Sequence, residues 1–241
     1  MARQKTTYWQ DTATPFYSFV FTLPLFLIYE LGVFAITKND LMVLRNGADV
    51  LMRQVLGSLG MYGMYGFSGA FLIGFMAAFM RQKKALASTA VRSEYLLRML
   101  GESVMWGCIL FLVMSFTPLL LMSPVLGQLV QQGVLAIGAG IYEEFVFRVI
   151  LISIFVAVLG FIFQWKRSTS RVGAIILASA LFSAFHFVGE FGDTPTLALF
   201  LIRFSAGIFL GTLYVFRGFG VAAYTHTIYD LIVLFQVATR S

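Results

Sequence analysis

Charge is scarce in this chain. Asp, Glu, Lys and Arg together supply 12% of its 241 residues, and hydrophobic types supply 59%. A soluble domain carries about twice that share of charge, so the bulk of the chain belongs in lipid. Long polar stretches are missing too, which leaves no place for a separate aqueous domain. Helices of ~20 apolar residues fill this length as one integral membrane domain over residues 1–241. No internal repeat, low-complexity tract or Gly/Ser linker interrupts it. A single cysteine, Cys108, excludes an internal disulfide and a thiolate cluster. Its setting, Trp106-Gly-Cys-Ile-Leu-Phe, is that of a small core or lipid-facing side chain. The net charge of +6 does not point to nucleic acid, because the basic residues sit in short loops between apolar segments, where they set orientation in a membrane.

Seven membrane segments can be drawn, at 16–36, 61–80, 104–122, 130–163, 172–188, 196–216 and 219–238. The first is too long for a signal-peptide core, lacks a small-x-small cleavage site and contains Pro24 and Glu30, so it reads as a retained anchor. The fourth, about 34 residues at ~1.5 Å each, exceeds a hydrocarbon core of ~30 Å. Its polar start, Gln128-Leu-Val-Gln-Gln-Gly, and the glycines Gly133, Gly138 and Gly140 predict an interfacial or broken helix feeding the crossing. Between 40 and 60, Leu41, Leu44, Ala48, Leu51, Met52, Val55 and Leu59 recur at helical spacing against Arg45, Asp49 and Arg53. That pattern predicts an amphipathic helix lying in the interface. The stretch 85–102 holds Arg92, Glu94, Arg98 and Glu102 among leucines and predicts a cytoplasmic helical connector. The expected fold class is all-α, a polytopic integral membrane helical bundle of about seven to eight helices with one amphipathic interfacial helix.

Placing the N-terminus in the cytoplasm puts eleven of the 17 Lys and Arg residues on inner segments. Lys38, Arg45, Arg53 and Arg240 then fall outside, and Arg148 and Arg203 lie within the membrane. The expected location is a cell (inner or plasma) membrane, crossed several times.

Only two histidines are present, His186 and His226, and both lie in apolar stretches. Ionisable groups are expensive in a bilayer, so each is a candidate functional residue. Glu144 and Arg148, four apart on a helix, can pair. Glu143 points about 100° away and needs another partner or another task; a shielded carboxylate there suits a general base acting on water. Phe182 and His186 share a face, so the ring can fix the imidazole. His226 and Asp230 also share a face, and an Asp accepting from one ring nitrogen sets the tautomer of the other. The plainer alternative, polar residues that only join helices, requires both histidines to be buried in lipid without a task.

Two chemistries fit. In one, Glu143 with His186 activates water while His226 with Asp230 polarises a scissile carbonyl. In the other, His186, His226 and Glu143 hold a zinc ion that activates the water. No His-Glu-x-x-His signature decides between them, so no cofactor is required and zinc stays open. Counting along helices puts Glu143 and His186 ~20–30 Å from the inner ends and His226 ~10 Å from them, so a common site requires bending or tilt and opens outward. Glu30 reads as a partner for Arg203 or a snorkelling residue, with a contact to the site as the alternative. Gly207 and Gly211 read as close helix packing.

The three motifs, Glu143-Glu144-Phe-Val-Phe-Arg148, Phe182-Ser-Ala-Phe-His186 and His226-Thr-Ile-Tyr-Asp230, resemble in order and setting the CAAX protease and bacteriocin-processing (CPBP, or Abi) family of intramembrane endopeptidases, which includes the type II CAAX prenyl endopeptidases. The resemblance spans 141–235 and implies a motif-bearing core over about 128–238. It implies peptide-bond hydrolysis, glutamate-type or zinc-dependent, in a membrane-anchored or lipid-modified protein or peptide. It gives Glu143 the water-activating role, His186 a catalytic or coordinating role and His226 with Asp230 the carbonyl, while Glu144, Arg148 and Phe182 support them. The family's last motif ends in Asp or Asn; Asp230 donates to an oxyanion only when protonated, or else orients His226. The expected partners are that substrate and the lipid bilayer, with no nucleic acid. Two rival classes remain: a non-enzymatic immunity or peptide-binding membrane protein, and a proton-coupled transporter, although a transporter predicts an internal duplication that the chain lacks.

Overall fold

A computed structural model of the protein describes residues 7–36, 91–115, 129–188 and 192–239, with single positions 47, 50, 69, 73 and 74. Among the described residues there is no strand. The helices are α1 (Tyr8–Thr12), α2 (Pro15–Ile36), α3 (Ser93–Ser115), α4 (Leu129–Ile162), α5 (Arg167–Phe185), α6 (Leu197–Arg217) and α7 (Phe219–Ala238). All but α1 are long and apolar enough to cross a membrane. The protein is a polytopic helical membrane bundle. Leu31, Phe34, Leu112, Phe161, Phe216 and Phe235 are each exposed, as lipid-facing side chains are, while the backbone groups are satisfied within the helices.

Inside the bundle, small residues let backbones approach. A Cβ added at Gly207 would lie 2.9 Å from Cβ of Ser179, and one at Gly211 would lie 3.1 Å from Ile175, so α5 and α6 meet closely along this edge. The main core gathers Tyr29, Val33, Ile141, Tyr142, Phe147 and Phe182 from α2, α4 and α5.

Among the described residues, most of the Lys and Arg collect at one end. Arg92, Arg98, Lys166, Arg167, Arg171 and Arg217 all lie where α2, α3, α5 and α7 begin and α4 and α6 finish. There Arg217 bridges Glu102 at 2.7 Å and Thr12 at 3.1 Å, with Trp9 over its guanidinium at 4.2 Å. Tyr8 donates to Glu102; its burial and that carboxylate push its pKa above the ordinary tyrosine value. This cluster closes the basic end.

Several expectations change. The stretch 93–102 is not a separate connector. It is the first part of α3, which runs unbroken from Ser93 to Ser115. Its acidic Glu102 is taken up by Arg217, which lets the charged turn stay helical beside the bundle. The long fourth segment is also unbroken: α4 is helical over 34 residues, with π-helical stretches at Ala139–Glu143 and Phe145–Ile152 in place of the expected interruption. The segment drawn at 172–188 begins earlier, at Arg167, and ends at Phe185, so His186 caps α5 rather than lying within it. The amphipathic helix expected over 40–60 and the crossing expected over 61–80 lie outside the described residues, single positions excepted.

Candidate active site

Three helices, α4, α5 and α7, supply the site. Both glutamates lie on α4 where it is widest. π-Helical turns are rare and occur mostly at functional sites, and here Glu143 ends one of them and Glu144 joins it to the next. Both side chains are buried.

Glu144 pairs with Arg148 at 3.0 Å, one turn along the helix. It also accepts from Nδ1 of His226, 2.8 Å away on α7. Arg148 is only 1% exposed, and its guanidinium lies 4.4 Å from the centre of the Phe182 ring. That contact stabilises the buried cation through the ring's negative face, while its two terminal nitrogens find no hydrogen-bond partner among the described residues.

Glu143 turns the other way, towards His186. Its Oε2 lies 3.9 Å from Nε2 of that ring, beyond direct hydrogen bonding and at the spacing of a water-bridged pair. The opposite nitrogen, Nδ1 of His186, is 2.8 Å from the Phe182 carbonyl oxygen. A carbonyl only accepts, so Nδ1 carries a proton, and in the neutral ring Nε2 would present its lone pair. Phe182 packs edge-on against His186 at 4.9 Å between ring centres and also reaches His226 at 6.1 Å. One phenylalanine therefore sits among both imidazoles and the arginine.

His226 is held from both sides. Glu144 takes Nδ1, and Asp230 stands 3.4 Å from Nε2, one turn further along α7. The Asp230 and His186 side chains keep about a quarter of their surface exposed, at 27% each, whereas those of Glu143 and Glu144 keep 8% and 0%. The pair is thus reached from the His186 and Asp230 side.

The depth estimate from helix ends required bending or tilt, and the structure resolves it differently. Phe219, the first residue of α7, packs against Phe145, not against the end of α4. Seven residues into α7, His226 is already level with Glu144. Gly140 makes this crossing close: a Cβ there would meet the Thr227 hydroxyl and lie 2.7 Å from the Ala223 carbonyl oxygen.

Glu30 does not pair with Arg203. It accepts from the Tyr142 hydroxyl at 2.6 Å, beside the residue that precedes the glutamates, whereas Arg203 pairs with Asp193 and lies near the Phe187 ring. Sequence reasoning passes over the His226–Glu144 bond and the Tyr142–Glu30 bond alike, because each joins residues far apart in the chain. For a zinc site, Glu143, His186 and His226 would have to converge. His226 instead turns both nitrogens to other carboxylates, and no three His, Cys, Asp or Glu side chains among the described residues are grouped to hold a metal ion.

Residues 125–232 match the family model of type II CAAX prenyl endopeptidase Rce1-like proteins. No curated protein and no solved structure matches the chain. The matched stretch holds all three motifs and leaves out α1, α2 and α3. Over residues 125–232, the chain is similar to the CAAX protease family.

Proposed function

We propose that the protein is an intramembrane endopeptidase of the glutamate type, cutting a membrane-anchored or lipid-modified protein or peptide. The observation that carries this reading is the facing pair of acceptors, Glu143 Oε2 and His186 Nε2, 3.9 Å apart with the far side of His186 tied to a backbone carbonyl. A water donating to both groups has its oxygen lone pair free for attack. Glu143 takes the proton as the water oxygen bonds to the scissile carbonyl carbon, and later returns it to the leaving amine. The negative charge develops on the carbonyl oxygen. His226 stabilises it through Nε2, where a proton stands between the ring and Asp230. Glu144 holds the ring in place through Nδ1. No step in this scheme passes through a metal.

The test is cleavage of a membrane-anchored reporter peptide in proteoliposomes, with metal content and chelator response measured on the same preparation. Glu143→Gln should lower turnover by about 10²–10⁴-fold while peptide binding persists. Turnover equal to wild type would end the proposal. Stoichiometric zinc with chelator-sensitive cleavage would replace the glutamate mechanism with a metal-dependent one.

A further inference from the structure

Below the candidate active site, towards the basic end, the lower half of α4 and the corner between α6 and α7 flank a half-open cavity of ≈ 440 Å³. That is the size of a small-molecule site, typically about 300–1,000 Å³. The residues proposed for hydrolysis do not line it. Its walls are apolar, from Phe19, Val149, Ile152, Val215 and Phe219, and its rim carries Arg167 and Arg171. The cavity exists because α7 starts level with Phe145 while α4 continues to Ile162, so α4 and the start of α5 extend beyond the corner. Gly218 makes that corner with φ of 83°, a conformation other residues rarely adopt.

Three features point to one class of ligand. Arg167 and Arg171 lie one turn apart at the start of α5, so both guanidinium groups can face one anion. Neither forms an ion pair among the described residues. The first amides of α5 add their partial positive charge, and no side chain caps them. Independently, Ser18 lines the same cavity, is only 2% exposed, and its hydroxyl has no hydrogen-bond partner among the described residues. A buried hydroxyl left unpaired is costly, and a ligand acceptor in the cavity would satisfy it.

We propose that this cavity binds an anionic phospholipid of the surrounding bilayer. Arg167 and Arg171 take the phosphate, the Ser18 hydroxyl donates to a glycerol ester oxygen, and the acyl chain lies along Phe19, Ile152 and Phe219. Ser18, Phe19, Arg167, Arg171 and Phe219 lie within the first two turns of their helices, where a lipid headgroup would reach them. Free phosphate has no use for the apolar wall, and a neutral lipid has none for two unpaired arginines. Bound there, the lipid would join α2, α4, α5 and the α6–α7 corner beneath the site.

The test needs no catalysis. Purified protein in neutral detergent is titrated with short-chain phosphatidylglycerol, with phosphatidylcholine of the same chain length, and with inorganic phosphate, reading binding by native mass spectrometry and the thermal midpoint. Phosphatidylglycerol should bind and raise the midpoint, and the other two should not. The Arg167→Gln/Arg171→Gln variant, altered only at exposed positions, should weaken that binding by about thirtyfold, roughly fivefold per basic residue. Ser18→Ala should leave the lipid-free midpoint unchanged or raised, because it removes an unpaired buried group, yet weaken lipid binding by about fivefold. Equal binding of phosphatidylcholine would make the cavity merely apolar. Equal competition by inorganic phosphate would make it an anion site, and wild-type affinity in the double variant would remove the arginines from it. Any of these three results overturns the proposal.

Discussion

Glu143 and Glu144 are adjacent in the chain and differ in what surrounds them. Glu144 is fully buried between Arg148 and His226, so its charge is needed by two neighbours. Removing one partner of a buried ion pair leaves the other unpaired in low dielectric, at a cost of about 3–5 kcal/mol. Glu144→Leu should therefore lower unfolding stability by about that amount, measured by denaturant titration in detergent, whereas Glu143→Gln should cost about 1 kcal/mol or less. Replacing both partners removes the unpaired charge as well. The Glu144→Leu/Arg148→Met variant should regain most of the lost stability but keep turnover about 10–100-fold down, because His226 has lost the acceptor that orients it. If turnover returned with stability, Glu144 would be a structural residue only. The Glu144–Arg148 pair is legible in the sequence because its spacing is local, and so is the packing of Phe182 on His186. The second partner of Glu144 is not, since it lies 82 residues away and no periodicity reports a contact between helices. The same holds for Glu30: its apolar surroundings mark it as costly, but only the packing of α2 against α4 shows that Tyr142 is its donor.

At the scale of the helix, the apolar runs locate the crossings and the polar residues obscure where they begin. Arg92, Glu94, Arg98 and Glu102 give the start of α3 an aqueous look, yet Tyr95, Met99 and Ser103 on its other face are buried, and the helix continues through them. The α4 glycines read as bending points, and at least one has a different task. Gly140 brings α4 against α7 at Ala223 and Thr227, which sets His226 beside Glu144. The Ala223 carbonyl is backbone and cannot turn aside. Gly140→Ala should therefore cost about 1–3 kcal/mol through overpacking and reduce turnover by moving α7. Gly133→Ala, in the same helix, meets nothing within 4 Å and should be neutral or stabilising, because alanine is the better helix former by roughly 1 kcal/mol. Thermal midpoints of the two variants, compared side by side, check this; equal losses would mean that helix flexibility, not close approach, is what Gly140 supplies.

Across the whole molecule, the described Lys and Arg residues gather mostly at one end, and the candidate site sits nearer the other. The basic end holds Arg92, Arg98, Lys166, Arg167, Arg171 and Arg217, whereas the described loop after α5 pairs its Asp193 with Arg203. The imbalance of Lys and Arg governs insertion, so the basic end should face the cytoplasm. His186 caps α5 at the opposite end, and the exposed edges of His186 and Asp230 give access from there. With that orientation, the proposed protease should receive its substrate from the outer half of the membrane. The orientation is tested by cysteine labelling in a Cys108→Ala background. Ser168→Cys marks the basic end and Thr194→Cys the other, both at exposed positions. A membrane-impermeant maleimide applied to intact cells should label position 194 and not 168, and inverted vesicles should reverse the pattern. Labelling of 168 in intact cells would invert the molecule: the active site would then open to the cytoplasm, and the substrate would be sought among proteins anchored to the inner leaflet.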